Sequence, residues 1–487
     1  MICTRHAYLG GALTATVLCL TPSKALGSPS DDVFGVGARS MAMAGTGTAA
    51  ARDYSATYYN PANLTLCKRR QLSVTAFHVF YDIGTDVDVS QLPSVDDPFN
   101  PGETITDPEL APIEPENRTR IQLGACLPLP ANLAIGLNLG FGVQTTASAN
   151  PNTVAENPRY YTYGEEMDTL TIQTALAYRP IPQLAIGLGA TVLLDVQSGA
   201  TLTFDILSTD PADAAAIIRA DLTPRIAPIV GIYANPIDEL ELGLTFRGKL
   251  DSNFTVPAFI SAASGPLAIE VALTAEGRIW YSPNQLSFGI AGRPIDSLLL
   301  TADVTWYQTS KAPGPYATVT VVGEVLGNEL VFPPQEDYAF RDIVVPRFGI
   351  EYSLLDRDAL ALRGGYMFRP STTAVPGTSE GCQAAASDPN QPACRANVLD
   401  NPSHWISVGA GYTFRLGRAP KAEYEAAALT VEDTRPELTI DAYFRVGLFK
   451  ERQVSRTEPV DEVPYLRDYR YGGQTYDLGG TVTLSWK

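Results

Sequence analysis

Residues 133–143 alternate without a break between apolar positions and small or polar ones. Leu133, Ile135, Leu137, Leu139, Phe141 and Val143 fall on one side of an extended chain, and Gly136, Asn138, Gly140 and Gly142 on the other, because strand side chains alternate faces. The same period returns at 184–196, 240–249, 298–307 and 438–448. Beyond the first 27 positions no run reaches the roughly 18 apolar residues of a membrane helix, so any membrane crossing is expected to be made by strands. The pattern predicts an all-β fold, a transmembrane antiparallel β-barrel with an apolar outer wall and a polar lumen.

Extended along the chain, the period gives fourteen candidate strands. They are 71–82, 117–128, 133–146, 167–179, 184–203, 223–234, 240–255, 276–293, 298–308, 344–354, 360–369, 404–414, 437–449 and 475–486. An even number suits a single-chain bacterial barrel. Short linkers at 129–132, 180–183, 235–239, 294–297 and 355–359, rich in Pro, Asp and Asn, alternate with longer ones, as periplasmic turns alternate with external loops. The linker 415–436 is long where a short turn belongs, which leaves the count open there. Charges on the lipid side cost kilocalories each, so the alternation sends Glu241, Thr245, Arg247 and Lys249 into the lumen, with Asp303, Asp441, Tyr443 and Arg445, and turns Trp306 outward.

Arg5, the apolar stretch 7–20 and the small-residue segment 23–27 predict a cleaved signal peptide over residues 1–27, with the mature chain starting near Ser28. Thr16, Val17 and Leu18 lack the small residues that a lipoprotein site at Cys19 needs. Cleavage removes Arg5 and Lys24 and no acid, taking the formal charge from −18 to −20. Nucleic acid is therefore not an expected partner. Acid concentrates at 86–116, which also carries six prolines and no Lys or Arg; a solvated external loop and a divalent-cation site are both open readings. Cys382 and Cys394 share one segment and can close a loop, while Cys67 and Cys126 flank the first two strands and meet if those form a hairpin. No Cys/His cluster predicts a metal, and no cofactor is expected. His78 and His404, the histidines left after cleavage, stand in no nucleophile motif, and Gly35-x-Gly37 lacks the βαβ unit of a dinucleotide loop. The chain does not read as an enzyme.

Residues 32–66 follow neither period. Small residues dominate, as in Gly37-Ala-Arg-Ser-Met-Ala-Met-Ala-Gly45, and Tyr58-Tyr-Asn-Pro-Ala62 precedes the first strand. These two stretches resemble the N-terminal hatch of the FadL/TodX family of outer-membrane transporters for hydrophobic compounds; the family often has Gly where this chain has Asn63. The resemblance implies a hatch over 28–66, with Arg39, Asn60, Pro61 and Ala62 among its marked residues, and a monomeric barrel over 67–487. It also implies passive uptake of fatty acids or other hydrophobic compounds from the lipopolysaccharide layer. The cargo would land on an external apolar groove, enter the barrel, and leave sideways into the membrane where a kinked third strand passes the Asn-Pro-Ala segment. The inner positions Gly136, Asn138, Gly140 and Gly142 would leave room there.

Thr209, Pro211 and the alanines after them predict a short helix over 209–220, in the third external loop where the family builds its groove. Ala214, Ile217, Ile218, Phe259, Ile260 and Leu267 are groove candidates, or simply loop packing. Arg247 and Lys249 are candidates to hold a cargo carboxylate, or to pair with Asp303 or Asp441. Secretion-associated docking barrels that resemble PorV share the hatch motifs, so a docking role without small-molecule transport is the alternative.

Overall fold

The computed structural model describes residues 30–87, 114–143, 158–160, 162–163, 170–203, 215–264, 267–312, 340–354, 359–376, 398–417, 435–455 and 468–487, with short pieces at 94–96, 104–106, 318–323 and 330–332. The signal-peptide expectation, Cys382, Cys394, Ala214 and most of the acidic segment lie outside the described residues.

Fourteen antiparallel strands close into a barrel. In chain order they are β1 (Arg70–Thr85), β2 (Arg118–Leu129), β3 (Leu133–Gly142), β4 (Thr171–Ile181), β5 (Leu184–Thr203), β6 (Ala215–Ile237) and β7 (Leu240–Arg247). Then follow β8 (Gln285–Ile295), β9 (Leu298–Tyr307), β10 (Ile343–Leu354), β11 (Leu360–Arg369), β12 (Ser403–Arg415), β13 (Glu437–Ser455) and β14 (Asp468–Trp486). The ring shuts where β1 pairs β14, from Arg70 opposite Trp486 to Thr85 opposite Tyr471, which removes the exposed edge that an open sheet would carry. Each of the fourteen candidates falls on one of these strands. β12 pairs β13 directly, from Ser403 opposite Phe449 to Arg415 opposite Glu437, so no wall strand stands between the two.

Side-chain exposure follows the alternation. Leu188 and Ile226 on the outside are 64% and 65% exposed, while Glu241, Thr245, Arg247, Asp303, Asp441, Tyr443 and Arg445 are buried inside. The first short turn carries Ala131 and Asn132 at φ 61° and 60°, the left-handed pair that a two-residue hairpin between twisted strands favours.

The sequence reading needs correction at three places. Residues 240–255 and 276–293 are not single strands: β7 ends at Arg247 and β8 begins at Gln285. Gly248 turns the chain, its N–H donating to the Pro228 carbonyl at 2.8 Å, and Pro283 has no N–H to continue a ladder. Between them Leu250–Ser264 and Leu267–Ser282 form a separate hairpin, and Leu250–Ser264 also runs parallel to the outer end of β5. Second, 215–220 is strand rather than helix. Ala215 to Ala220 pair with Thr203 to Ser198 of β5, a long-range ladder that overrides local alanine propensity. Third, Lys249 does not face the lumen. It lies past the end of β7, where the alternation has stopped, and is exposed.

Candidate functional site

Residues 30–66 lie inside the barrel as a plug of three short helices, Ser30–Val33, Ala38–Ala42 and Ala56–Tyr59, and a 3-10 turn, Pro61–Leu66. Almost every residue in it is buried. So tight a fit needs small residues on both partners. A methyl group on Gly187 would overlap the Ala62 backbone nitrogen, one on Gly243 the Thr48 carbonyl, and one on Gly365 the Met43 backbone. Gly124, Gly136 and Gly289 receive Tyr54, Leu64 and Thr48 in the same way. The wall thus carries a belt of inward glycines on which the plug is seated.

Polar groups fasten it. Asp303 accepts from the backbone N–H groups of Gly47 and Thr48 at 3.0 and 2.9 Å. Thr46 and Thr301 hydroxyls lie 2.6 Å apart. Arg39 places a bidentate fork on Glu351 at 2.8 and 2.9 Å, the geometry that makes guanidinium–carboxylate pairs strong. Glu351 also accepts from Arg363 at 2.7 Å, which reaches Asp441 at 2.6 Å. Arg52 and Arg293 share Glu241. At the start of the plug, burial pushes the Asp31 carboxyl above the ordinary range, against the pull of Arg120, Gln122 and Gln173. Burial likewise pushes the Tyr59 phenol up to about 12, so it stays neutral and its oxygen accepts from the Val36 N–H at 3.1 Å.

Asn60, Pro61 and Ala62 form one device. The Asn60 amide donates to Thr48 O at 2.8 Å and to the wall carbonyl of Ile232 at 2.9 Å, while its Oδ1 accepts from Ala62 N at 3.1 Å. Pro61 opens the 3-10 turn, where a missing N–H costs nothing. Asn63 donates to Gly47 O and Thr48 O, both at 3.2 Å. The triplet lies against Gly187 and Gly231 of β5 and β6, not beside the third strand. β3 instead meets Thr57 and Leu64 at Gly136. Gly140 backs onto Arg120, Asn138 donates to Gln173 at 3.0 Å, and Gly142 is half-buried. The ladders on both sides of β3 run without a register shift, to Gly142 against β2 and to Gly140 against β4.

Arg247 is not paired with Asp303 or Asp441. It donates to Gln285 Oε1 at 3.0 and 2.6 Å and to Tyr58 O at 2.8 Å, and lies over the Tyr58 ring at 4.1 Å. These contacts make it part of the plug's seat. Two small cavities adjoin it, both lined by Asp31, Asp32, Tyr58 and Arg247. Each leaves about 20 Å³ for the centres of water-sized molecules, room for a water or two and too little for a hydrocarbon.

At the outer end of the plug, toward the external loops, plug and wall meet through aromatic rings. Phe34 packs on Phe77, Tyr81 and Trp405 with ring centroids 6.2–6.4 Å apart, and Trp405 on Phe449 at 5.8 Å, all in one buried cluster. Arg445, bonded to Asp477 at 2.8 Å, lies against the Trp405 ring. The alternation argument, which assumed a polar lumen, missed these residues. The signal was present on β1, where Phe77, Val79, Tyr81 and Ile83 make the inner phase as apolar as the outer one.

The groove candidates are strand residues rather than loop residues. Ala214 lies outside the described residues. By register, Ile218 pairs with Ala200, Ala200 with Ala258 and Ala258 with Leu273; Ile217 pairs with Thr201 and Thr201 with Phe259. Cys67 and Cys126 are joined by a disulfide, Cα atoms 6.5 Å apart, which ties the end of the plug to β2.

Known proteins match this arrangement. Among solved structures, a Pseudomonas aeruginosa FadL homologue superposes with a TM-score of 0.52 at 16% identity, covering 92% of this chain and 97% of its own. The Ralstonia pickettii toluene transporter TbuX gives a TM-score of 0.51 at 15% identity, covering 94% and 100%. No curated protein matches the sequence significantly. The model of the outer membrane protein transport protein family (OMPP1/FadL/TodX) matches residues 31–416. With that match over most of its length, a fourteen-stranded wall and a plugged lumen, this chain belongs to the OMPP1/FadL/TodX family of outer-membrane transport proteins.

Proposed function

We propose that this barrel takes up long-chain fatty acids or aromatic hydrocarbons passively from outside the cell, with the aromatic cluster as the place where cargo displaces rings and is captured, and the plug as the barrier. The observation that carries this reading is the change of lumen chemistry at the outer end of the plug. A general pore needs a polar lumen for water and solutes, whereas Phe34, Phe77, Tyr81, Trp405 and Phe449 offer a tail an environment worth roughly 0.8 kcal/mol per methylene removed from water. The toluene transport named for the Ralstonia neighbour makes monoaromatics the second cargo class to test.

The outer strands supply an approach to it. The hairpin of Leu250–Ser264 and Leu267–Ser282 extends the sheet beside the outer end of β5. Passage past the plug requires a rearrangement, since buried plug residues such as Tyr58, Asn60 and Ala62 lie directly against the wall. A sideways exit at β3 would require Thr57 and Leu64 to leave Gly136. Arg247, three of whose five N–H groups bond Gln285 and Tyr58, acts in fastening the plug rather than in holding a carboxylate.

The test is uptake of labelled oleate and labelled toluene by cells lacking their own transporter, supplied with this chain or with its Asn60→Ala variant at matched levels of folded barrel. Uptake of either cargo above empty cells, altered by Asn60→Ala, supports the reading. A well-folded barrel that moves neither cargo would turn the assignment toward protein docking.

A further inference from the structure

The connection between β7 and β8 carries the hairpin of Leu250–Ser264 and Leu267–Ser282, and the foot of that hairpin is bonded to the plug. Ser282, opposite Leu250 in the register, donates from Oγ to Asp32 Oδ2 at 3.0 Å. Gln285, the first residue of β8, donates to the same oxygen at 2.6 Å and to Ser282 Oγ at 3.2 Å. The other Asp32 oxygen accepts from the Tyr58 hydroxyl. Arg247, the last residue of β7, closes the circuit by donating to Gln285 Oε1 at 3.0 Å and to Tyr58 O at 2.8 Å. Five buried side chains thus form one polar ring: Asp32 and Tyr58 from two helices of the plug, Arg247 and Gln285 from the wall, and Ser282 from the hairpin.

Just beside this ring the hairpin is pinned to the wall. The Gly248 N–H donates to Pro228 O on β6 at 2.8 Å. Asn284 accepts from the Lys249 N–H at 2.7 Å and donates to Gln308, one residue past β9, at 2.9 Å. Leu250 and Ser282 are therefore the first hairpin residues beyond the pins, Leu250 packed on Leu193 and Ala227 of the inner wall and Ser282 on the plug. Bonds that share acceptors in a buried network are kept or lost together. A cavity lined by Asp32, Tyr58, Arg247, Ser282 and Gln285 adjoins the ring, with about 20 Å³ for the centres of water-sized molecules, so water is at hand to take up these bonds when they part. The seat of Gly47 and Thr48 on Asp303 belongs to β9 and shares none of them.

We infer that the hairpin 250–282 is a clasp on the plug: turning it about its pins draws Ser282 away from Asp32 and frees the first turn of the plug, so that an event outside the barrel reaches the barrier inside. Coupling between two sites is reciprocal, so freeing the first turn also loosens the hairpin. The device lies in the fold itself and acts whatever the cargo.

Hydrogen–deuterium exchange of the purified, folded full-length barrel in detergent reads the coupling in both directions, without cargo. Asp32→Ala is expected to speed exchange in peptides spanning 250–282 at least tenfold. Asp303→Ala, which loosens the plug at the separate seat, is expected to leave those peptides at the wild-type rate. In the other direction Ser282→Ala, which removes one hydroxyl and tests the clasp even where Asp32→Ala does not fold, is expected to speed exchange at 31–38 at least tenfold while 46–52 holds its rate. Wild-type exchange of the hairpin in folded Asp32→Ala, wild-type exchange of 31–38 in Ser282→Ala, or a rise in the hairpin as large in Asp303→Ala as in Asp32→Ala would each overturn the clasp.

Discussion

The lumen has two halves made on different principles. In the inner half the plug meets the wall through glycines and hydrogen-bonded charges: Asp303 on two backbone N–H groups, Arg39 on Glu351, Asn60 on Ile232 O. In the outer half, rings meet rings. Directional bonds with close backbone contact define one geometry and resist displacement, whereas aromatic faces are non-directional enough to exchange one apolar neighbour for another. On the proposed reading the inner half is a seal and the outer half a receiver, and each should fail in its own way.

The largest effect is expected at the glycine belt. Gly243→Leu places a side chain where the Thr48 carbonyl lies, so the plug cannot seat; overpacking of this kind costs about 3 kcal/mol. Heat-modifiable mobility in gels should show a barrel that still folds with a lower melting point, and planar-bilayer recordings should show raised conductance. Next, Asp303→Ala strands two buried N–H donors at about 2 kcal/mol. It should raise conductance too, while Asp303→Asn, which keeps an acceptor, should recover most of the closure. Trp405→Ala sharpens the contrast from the other side: cargo uptake at low concentration should fall about tenfold, equivalent to roughly 1.4 kcal/mol, with conductance unchanged. If Trp405→Ala opened the pore as Asp303→Ala does, the two halves would not be separable. The smallest change is Thr46→Val, which loses the bond to Thr301 and about 1 kcal/mol, visible as a modest rise in brief channel openings.

The wall was legible because lipid enforces it. Every wall strand must show apolar residues at every second position, and the pattern located all fourteen, including the inward Asp303 and Asp441. The same alternation cannot say where a strand leaves the barrel, so the hairpin from Leu250 to Ser282 was read as continuations of β7 and β8, and Lys249 was carried past the turn at Gly248. The alanines of 215–220 misled because helix propensity is local, whereas their pairing with β5 is not. The plug was recognisable from its small residues, yet its path inside the lumen follows no period. That is why Asn60-Pro61-Ala62 was expected beside β3 and instead lies on β5 and β6, at glycines whose need for closeness only the fold reveals. The aromatic cluster was hidden by an assumption about polar lumens, although both phases of β1 announced it.

The receiver role is tested most directly by chain length. Half-saturating concentrations for uptake should be measured with saturated fatty acids of increasing length, in cells whose only transporter is this barrel. Capture by an apolar cluster predicts that the half-saturating concentration falls up to about fourfold with each added methylene, the equivalent of roughly 0.8 kcal/mol, until the apolar contacts are used up. A half-saturating concentration that does not change with chain length, at undiminished uptake, would contradict hydrophobic capture.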